Sequence, residues 1–204
     1  MLHLNLMPES TRKNFDQLRE DSRLANFTLV GGTALALQIG HRISEDLDFN
    51  IFGRVLPTKT IDAVLGDLEN SGAKIESLIT PAQKSQFKIN TSENLDKYIQ
   101  DYLIDGAKVT FQSRNESDRP QAQIDFLQAT PKLSISQQGF NILGVEGLFM
   151  MKSIVVYDQI KSRDIYDLMI LTRDHGFSVE QIIVAINAYQ PIRDKDPERF
   201  KSVV

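Results

Sequence analysis

A six-residue alternation, Asp46-Leu47-Asp48-Phe49-Asn50-Ile51, limits what this chain can become more than any other stretch. Successive side chains of a strand point to opposite faces, so Leu47, Phe49 and Ile51 share one face and Asp46 and Asp48 the other. Carboxylates at alternate positions of a strand are rooted ~6.5 to 7 Å apart, and they suit the clamping of divalent cations that stand ~3.5 to 4 Å apart in two-metal sites. Like charges held that close call for a cation.

The residues before the alternation add a second half to the pattern. Thr28 to Val30 reads as a short strand that stops at Gly31 and Gly32, and Thr33 opens TALALQI, a helix of about two turns ended by Gly40. Paired glycines let backbone approach a ligand closely, and free N–H groups at a helix start favour a phosphate, to which Thr33 adds a hydroxyl donor. Taken singly, the glycines are an ordinary tight turn and the aspartates a wet strand face. The order and spacing are what is specific.

Gly31-Gly32-Thr33, then His41-Arg42-Ile43-Ser44 and Asp46-x-Asp48-Phe49, resemble the AbiEii/AbiGii toxin family of nucleotidyltransferases. The resemblance implies a polymerase-β-like core of the α+β class, a mixed sheet flanked by helices. Periodicity alone gives only mixed α and β elements.

The chain has 204 residues, of which 41% are apolar, enough for one large or two small domains with a substantial core. No cysteine is present, which excludes disulfides and thiolate metal sites. The first residues, MLHLNLMPES, lack a basic region ahead of a long apolar core, so neither a signal peptide nor a membrane span is expected and the default location is cytoplasmic. A net charge of −4 and a pI near 5.4 argue against broad capture of a nucleic-acid backbone.

Along the chain, Pro8 to about Arg23 reads as an amphipathic helix with Pro8 in its first position. Pro57-Thr58 open another, with Ile61, Val64, Leu65 and Leu68 on one face and Asn70-Ser71-Gly72 at its end. Alternation predicts strands at Ile75 to Ile79 and at Phe87 to Ile89, and Asn90 to Lys97 reads as a loop. Asp105-Gly106 predicts a tight hairpin between Asp101–Ile104 and Lys108–Phe111. Arg114 to Pro120 reads as a loop and Gln121 to Gln128 as a strand, in which Asp125 is costly to bury without a partner or a metal. That makes Asp125 a candidate third acid, unless the face it lies on is wet. Pro131 to Leu143 reads as a linker, dividing a nucleotidyltransferase core over 1–140 from a small helical part over 141–204.

Val145 to Lys161 has the length and apolarity of a helix, and Lys152 falls in the middle of its apolar stripe. An ammonium there needs a partner or an anionic ligand such as a triphosphate, or it snorkels to the surface on its apolar stem. Ser162 caps the next helix, whose first turns carry Asp164 and Asp167 on one face, a pattern that helix-dipole charge also explains. Lys152 followed by Arg163-Asp164-x-Tyr166-Asp167-Leu168 is similar to the second signature of the same toxin family. A last helix, Val179 to Tyr189, is capped by Ser178 with Gln181 in the capping-box place and stopped by Pro191.

The resemblance implies Mg²⁺- or Mn²⁺-dependent transfer of a nucleotidyl group from a nucleoside triphosphate, with release of pyrophosphate. Asp46, Asp48 and Asp125 would hold the metal; Gly31, Gly32 and Thr33, with Arg42 and Ser44, would position the phosphates. Lys152 would neutralise phosphate charge, and Asp164 would orient Lys152 or activate the acceptor hydroxyl. Arg163 and Asp167 are expected to be structural. The resemblance also implies a toxin–antitoxin or abortive-infection toxin, with the transfer RNA 3′ end as acceptor and a cognate antitoxin as partner. The alternatives are a small-molecule or protein-hydroxyl acceptor, and a nucleotide- or protein-binding module of the same fold without turnover.

Overall fold

The computed structural model describes residues 2–52, 55–113, 125, 127–134 and 139–189. The first helix, α1 (Glu9–Leu18), starts one residue after Pro8 and buries Phe15 and Leu18; a separate single turn at Ser22–Leu24 replaces the expected continuation to Arg23. Then β1 (Thr28–Val30) passes directly into α2 (Gly31–Ile39), which opens at Gly31, two residues before Thr33, and ends at Gly40 with φ of 70°. The left-handed turn at Gly40 ends the helix without the strain a Cβ would add there.

The alternation folds as the sequence predicts from Leu47 onward, while Asp46 lies just before the strand. Strand β2 (Leu47–Ile51) buries Leu47 and Phe49 completely and pairs antiparallel with β1, setting Leu29 beside Phe49 and Val30 beside Asp48. The next helix, α3 (Thr58–Asn70), turns Ile61, Val64, Leu65 and Leu68 into the core, and β3 (Ile75–Ser77) follows. The strand expected at Phe87–Ile89 is instead part of α4 (Pro81–Thr91). Thr80 and Gln83 form a reciprocal capping box with Pro81 in the first turn, and that start signal outweighs a two-residue alternation. Between Asn90 and Lys97 the chain finishes α4 and makes a single turn at Leu95–Lys97.

The predicted hairpin is present: β4 (Ile99–Ile104) and β5 (Ala107–Ser113) are joined by Asp105 and Gly106, with φ of 48° and 86°. Residues 114–124 lie outside the described residues. The strand expected over Gln121 to Gln128 is corrected: Asp125 and residues 127–129 are helical, and Leu127 is buried while Asp125 is exposed. The linker expected over Pro131 to Leu143 also contains strands, β6 (Lys132–Ser134) and β7 (Asn141–Leu143), which pair with each other, and β7 lies parallel to β1.

The seven strands of the described residues form one mixed sheet in the order β3-β4-β5-β2-β1-β7-β6. Phe49 is the hub of its apolar face, with its ring 4.7 Å from Phe140 and 5.5 Å from Phe111. Three helices close the described chain: α5 (Val145–Asp158), α6 (Ser162–Asp174), which starts from Lys161 rather than from a Ser162 cap, and α7 (Val179–Tyr189). The capping box expected at Ser178 and Gln181 forms; Pro191 lies outside the described residues. Among the described residues no helix is long and apolar enough to cross a membrane.

Candidate active site

Because β1 runs straight into α2, the first turn of that helix begins beside the strand that carries the acids. Val30 pairs with Asp48, so Gly31 follows directly opposite the carboxylate. Gly31 has φ of 75°, and a Cβ there would stand 2.6 Å from Asp48 Oδ2. At Gly32 a Cβ would stand 2.5 Å from the Arg42 guanidinium and 3.1 Å from Ser44 Oγ. The glycine pair thus permits close approach, of a carboxylate at one position and a guanidinium at the next.

Asp48, Gly31, Gly32, Arg42, Ser44 and Asp46 line one side of a cavity of about 500 Å³, and Lys152, Asp164 and Arg163 line another. Burial pushes the Asp48 carboxyl above its usual range, and Asp46 adds to the shift; Lys108, Arg163 and Lys152 oppose it without cancelling it. Asp46 has the Arg163 guanidinium at 3.6 Å, with both side chains partly in solvent. The chemistry of this donor set fits a divalent cation: hard carboxylate oxygens from two half-buried aspartates, one of them desolvated beyond what its neighbouring cations offset. Among the described residues no three acids or histidines already converge on a common point.

Thr33 does not face the cavity. It is buried, and its hydroxyl donates to the Asp46 carbonyl while lying 2.9 Å from Ser44 Oγ. Its role is to pin the segment from Ser44 to Asp46 against α2, so the expected phosphate contact from Thr33 is replaced by a positioning one. Asp125 is exposed on its helical turn and does not line the cavity.

Arg42, Lys152 and Asp164 in the cavity wall belong to a second charged group, which reaches back to Asp167 of α6. Asp167 is fully buried and meets four nitrogens: His41 Nε2 at 2.8 Å, Arg42 Nε at 2.7 Å, Arg42 Nη2 at 2.9 Å and Lys152 Nζ at 2.7 Å. Lys152 also donates to Asp164 at 2.5 Å, with both side chains buried. Two cations therefore face two carboxylates. Burial pulls the Asp167 carboxyl upward, but Arg42, His41 and Lys152 together hold it well below the usual carboxylate range, and Arg42 is raised in turn, chiefly by its bond to Asp167. Lys152 is thus paired rather than snorkelling, and two of its three protons are spoken for.

Asp167, expected to be structural, joins the two signatures. His41 and Arg42 lie more than a hundred residues away in the chain, and nothing local marks them as its partners. Asp101 also lines the cavity and was not singled out.

A helix N-terminus laid against a paired-carboxylate strand in a mixed sheet defines a nucleotidyltransferase fold. Residues 16–202 match the family described as nucleotidyl transferase AbiEii toxin, type IV TA system, and the chain belongs to that family. An uncharacterized protein of Aquifex aeolicus (strain VF5) is 26% identical over 159 residues, which cover 77% of this chain and 63% of that protein. The chain therefore spans less than two thirds of that relative's length. Among solved structures, ANT(2″)-Ia in complex with adenylyl-2″-tobramycin is similar with a TM-score of 0.50 at 13% identity, covering 85% of this chain and 91% of that one. JHP933 from Helicobacter pylori matches with a TM-score of 0.49 at 16% identity, covering 86% of this chain and 70% of that one.

Proposed function

We propose that this chain transfers a nucleotidyl group from a nucleoside triphosphate to an acceptor hydroxyl, with Mg²⁺ or Mn²⁺ held by Asp46 and Asp48. The observation that carries the reading is the Asp48 carboxylate, half-buried against the glycine-opened start of α2, with its nearby cations too weak to offset its desolvation. A bound divalent cation would neutralise the triphosphate and stabilise charge on the attacking and leaving oxygens.

The chain's own residues do the rest. Gly31 and Gly32 offer backbone N–H groups at the helix start, where negative charge is favoured. Arg42 and Lys152 set positive charge at the phosphate side of the cavity, each held there by Asp167. Asp164 takes the orienting role toward Lys152 rather than the role of base, because its oxygen already accepts from that ammonium. Ser44 shapes the loop with Thr33. Asp125 is left out of the proposed metal set. The division into a nucleotidyltransferase core and a C-terminal helical part is kept with β7 on the core side, since that strand belongs to the sheet.

The family's description supports a toxin role with a cognate antitoxin; the transfer RNA 3′ end as acceptor and action in the cytoplasm belong to the proposal. The acidic net charge of −4 favours a second reading, a small-molecule or protein hydroxyl as acceptor. The test is incubation of purified protein with Mg²⁺ and each α-labelled triphosphate, with and without bulk transfer RNA. Label on RNA that is absent with Asp46→Ala supports the first reading, and label on the protein or on a small hydroxyl compound supports the second. Triphosphate binding with no labelled product under any condition would leave a binding module of the same fold.

A further inference from the structure

Any hydroxyl that attacks a phosphorus needs a group to take its proton, and the acids named so far are committed elsewhere. Asp167 is saturated by four donors, and Asp164 holds Lys152 at 2.5 Å. Asp46 and Asp48 face the proposed cation.

The sheet register puts one more carboxylate on the same face. Asp48 of β2 pairs with Thr110 of β5, and Thr110 pairs with Asp101 of β4, so the three residues form one row across the sheet. Thr110 and Asp101 both line the cavity. With neighbouring strands ~4.8 Å apart, the roots of Asp48 and Asp101 stand about 10 Å from each other. That gap is too wide for both to grip one ion. It does accommodate a hydroxyl ~3 Å from a carboxylate and ~3 to 3.5 Å from the phosphorus it attacks.

Asp101 is also under-satisfied. Lys108 approaches its Oδ2 at 3.3 Å, while Oδ1 is buried without a hydrogen-bond partner. A buried carboxylate oxygen with no donor is uncommon, and a small rotation about the terminal torsion exchanges the two oxygens. A substrate hydroxyl is the donor that such a group lacks.

We infer that Asp101 is the general base of the transfer, taking the proton of the acceptor hydroxyl at the far side of the cavity from Asp48; the inference rests on the transferase reading above. The hydroxyl oxygen forms its bond to the α-phosphorus, the bond from that phosphorus to the pyrophosphate oxygen breaks with its electron pair, and the proton passes to Asp101. Lys108, 3.3 Å from Oδ2, aims the carboxylate before the reaction. Thr110, lying between the two acids, leaves room for the acceptor where a longer side chain would fill it.

The test compares the wild type with Asp101→Asn in two assays: binding of Mg²⁺–triphosphate, and transfer of label from that triphosphate to bulk transfer RNA, to protein or to water. The expected result is a loss of transfer of about 100-fold or more, the usual range for a general base, with triphosphate affinity within about twofold of wild type. Lys108→Met, which removes the ion pair but keeps the carboxylate, retains transfer within about tenfold. Equal losses in Asp101→Asn and Lys108→Met, or a loss of triphosphate binding in step with transfer, would mean a structural role and overturn the inference. Transfer by Asp101→Asn within threefold of wild type would overturn it and leave the transferase reading standing. A wild type that binds triphosphate and labels nothing would overturn both.

Discussion

Two groups of charges lie within one molecule and are built on opposite principles. At the start of β2, Asp46 and Asp48 bring two negative charges together, with Arg163 at 3.6 Å from Asp46, and desolvation pushes the Asp48 carboxyl upward against the pull of Lys108, Arg163 and Lys152. Across the cavity, Asp164 and Asp167 are more deeply buried, yet Asp167 is held far below its usual range because Arg42, His41 and Lys152 surround it. The same side chain is thus costly in one place and stabilising in the other, and the number of donors facing it decides which. The satisfied group is scaffold, fixing α6 to the segment after α2 and to α5. The unsatisfied group is the part poised for a ligand, since a desolvated carboxylate whose neighbouring cations do not offset that cost gains most when a cation arrives.

The comparison breaks most visibly at its two central carboxylates. Asp48→Asn keeps the shape and removes the charge, and transfer is expected to fall on the order of 10³-fold, the several kcal/mol that cation-supported charge stabilisation supplies; initial rates with labelled triphosphate measure it. Asp167→Ala leaves Arg42 and Lys152 with one carboxylate between them. Loss of a partner from a buried pair costs ~3 to 5 kcal/mol, and the lower end applies because Arg42 is partly exposed; denaturant unfolding should show a drop of about 3 kcal/mol. A destabilisation under 1 kcal/mol would show that the buried group is not scaffold.

Smaller effects sharpen the distinction. Gly31→Ala adds a Cβ to a residue at φ of 75°, 2.6 Å from Asp48 Oδ2. The backbone strain costs ~1 to 2 kcal/mol, and the Asp48 carboxylate must swing aside, so the expected outcome is a modest fall in unfolding midpoint with a larger fall in transfer rate. Acidification acts on the other group. A carboxylate whose pKa is depressed on folding contributes stability that is present above its unfolded value, ~3.9, and lost as pH falls through the folded value. Wild-type stability should therefore decline below about pH 4, and Asp167→Asn should flatten that decline; parallel curves from pH 7 to 3 would contradict the assignment.

Much of the sheet-borne group was legible because its information is local. Period-two alternation fixed the face of Asp46 and Asp48, and the glycine pair marked a close approach that the structure realises through Asp48 and Arg42. The buried group was only half legible. An apolar stripe around Lys152 required a partner, and Asp164 supplied it twelve residues later, but Asp167 meets His41 and Arg42 across more than 120 positions that no local pattern spans. The same reason hid Asp101. Its hairpin with Thr110 was readable from Asp105-Gly106, whereas the pairing of β5 with β2 that aligns Thr110 with Asp48 joins distant segments. Strands β6 and β7 have three residues each, too few to show a period, and β7 is recognised only by its partners, β1 and β6. Phe87 and Ile89 misled because alternation over three residues is weaker evidence than the capping box that starts at Thr80.

The central claim is that Asp48 is held in the fold at a cost that a cation relieves, and thermal unfolding of wild type and Asp48→Asn, each with and without Mg²⁺ and triphosphate, tests it most directly. Without metal, Asp48→Asn should unfold at a higher temperature than wild type, and Mg²⁺ should raise the wild-type midpoint by several degrees while leaving the variant nearly unchanged. An Asp48→Asn protein that unfolds below wild type without metal, together with a wild type that Mg²⁺ does not move, would contradict the account.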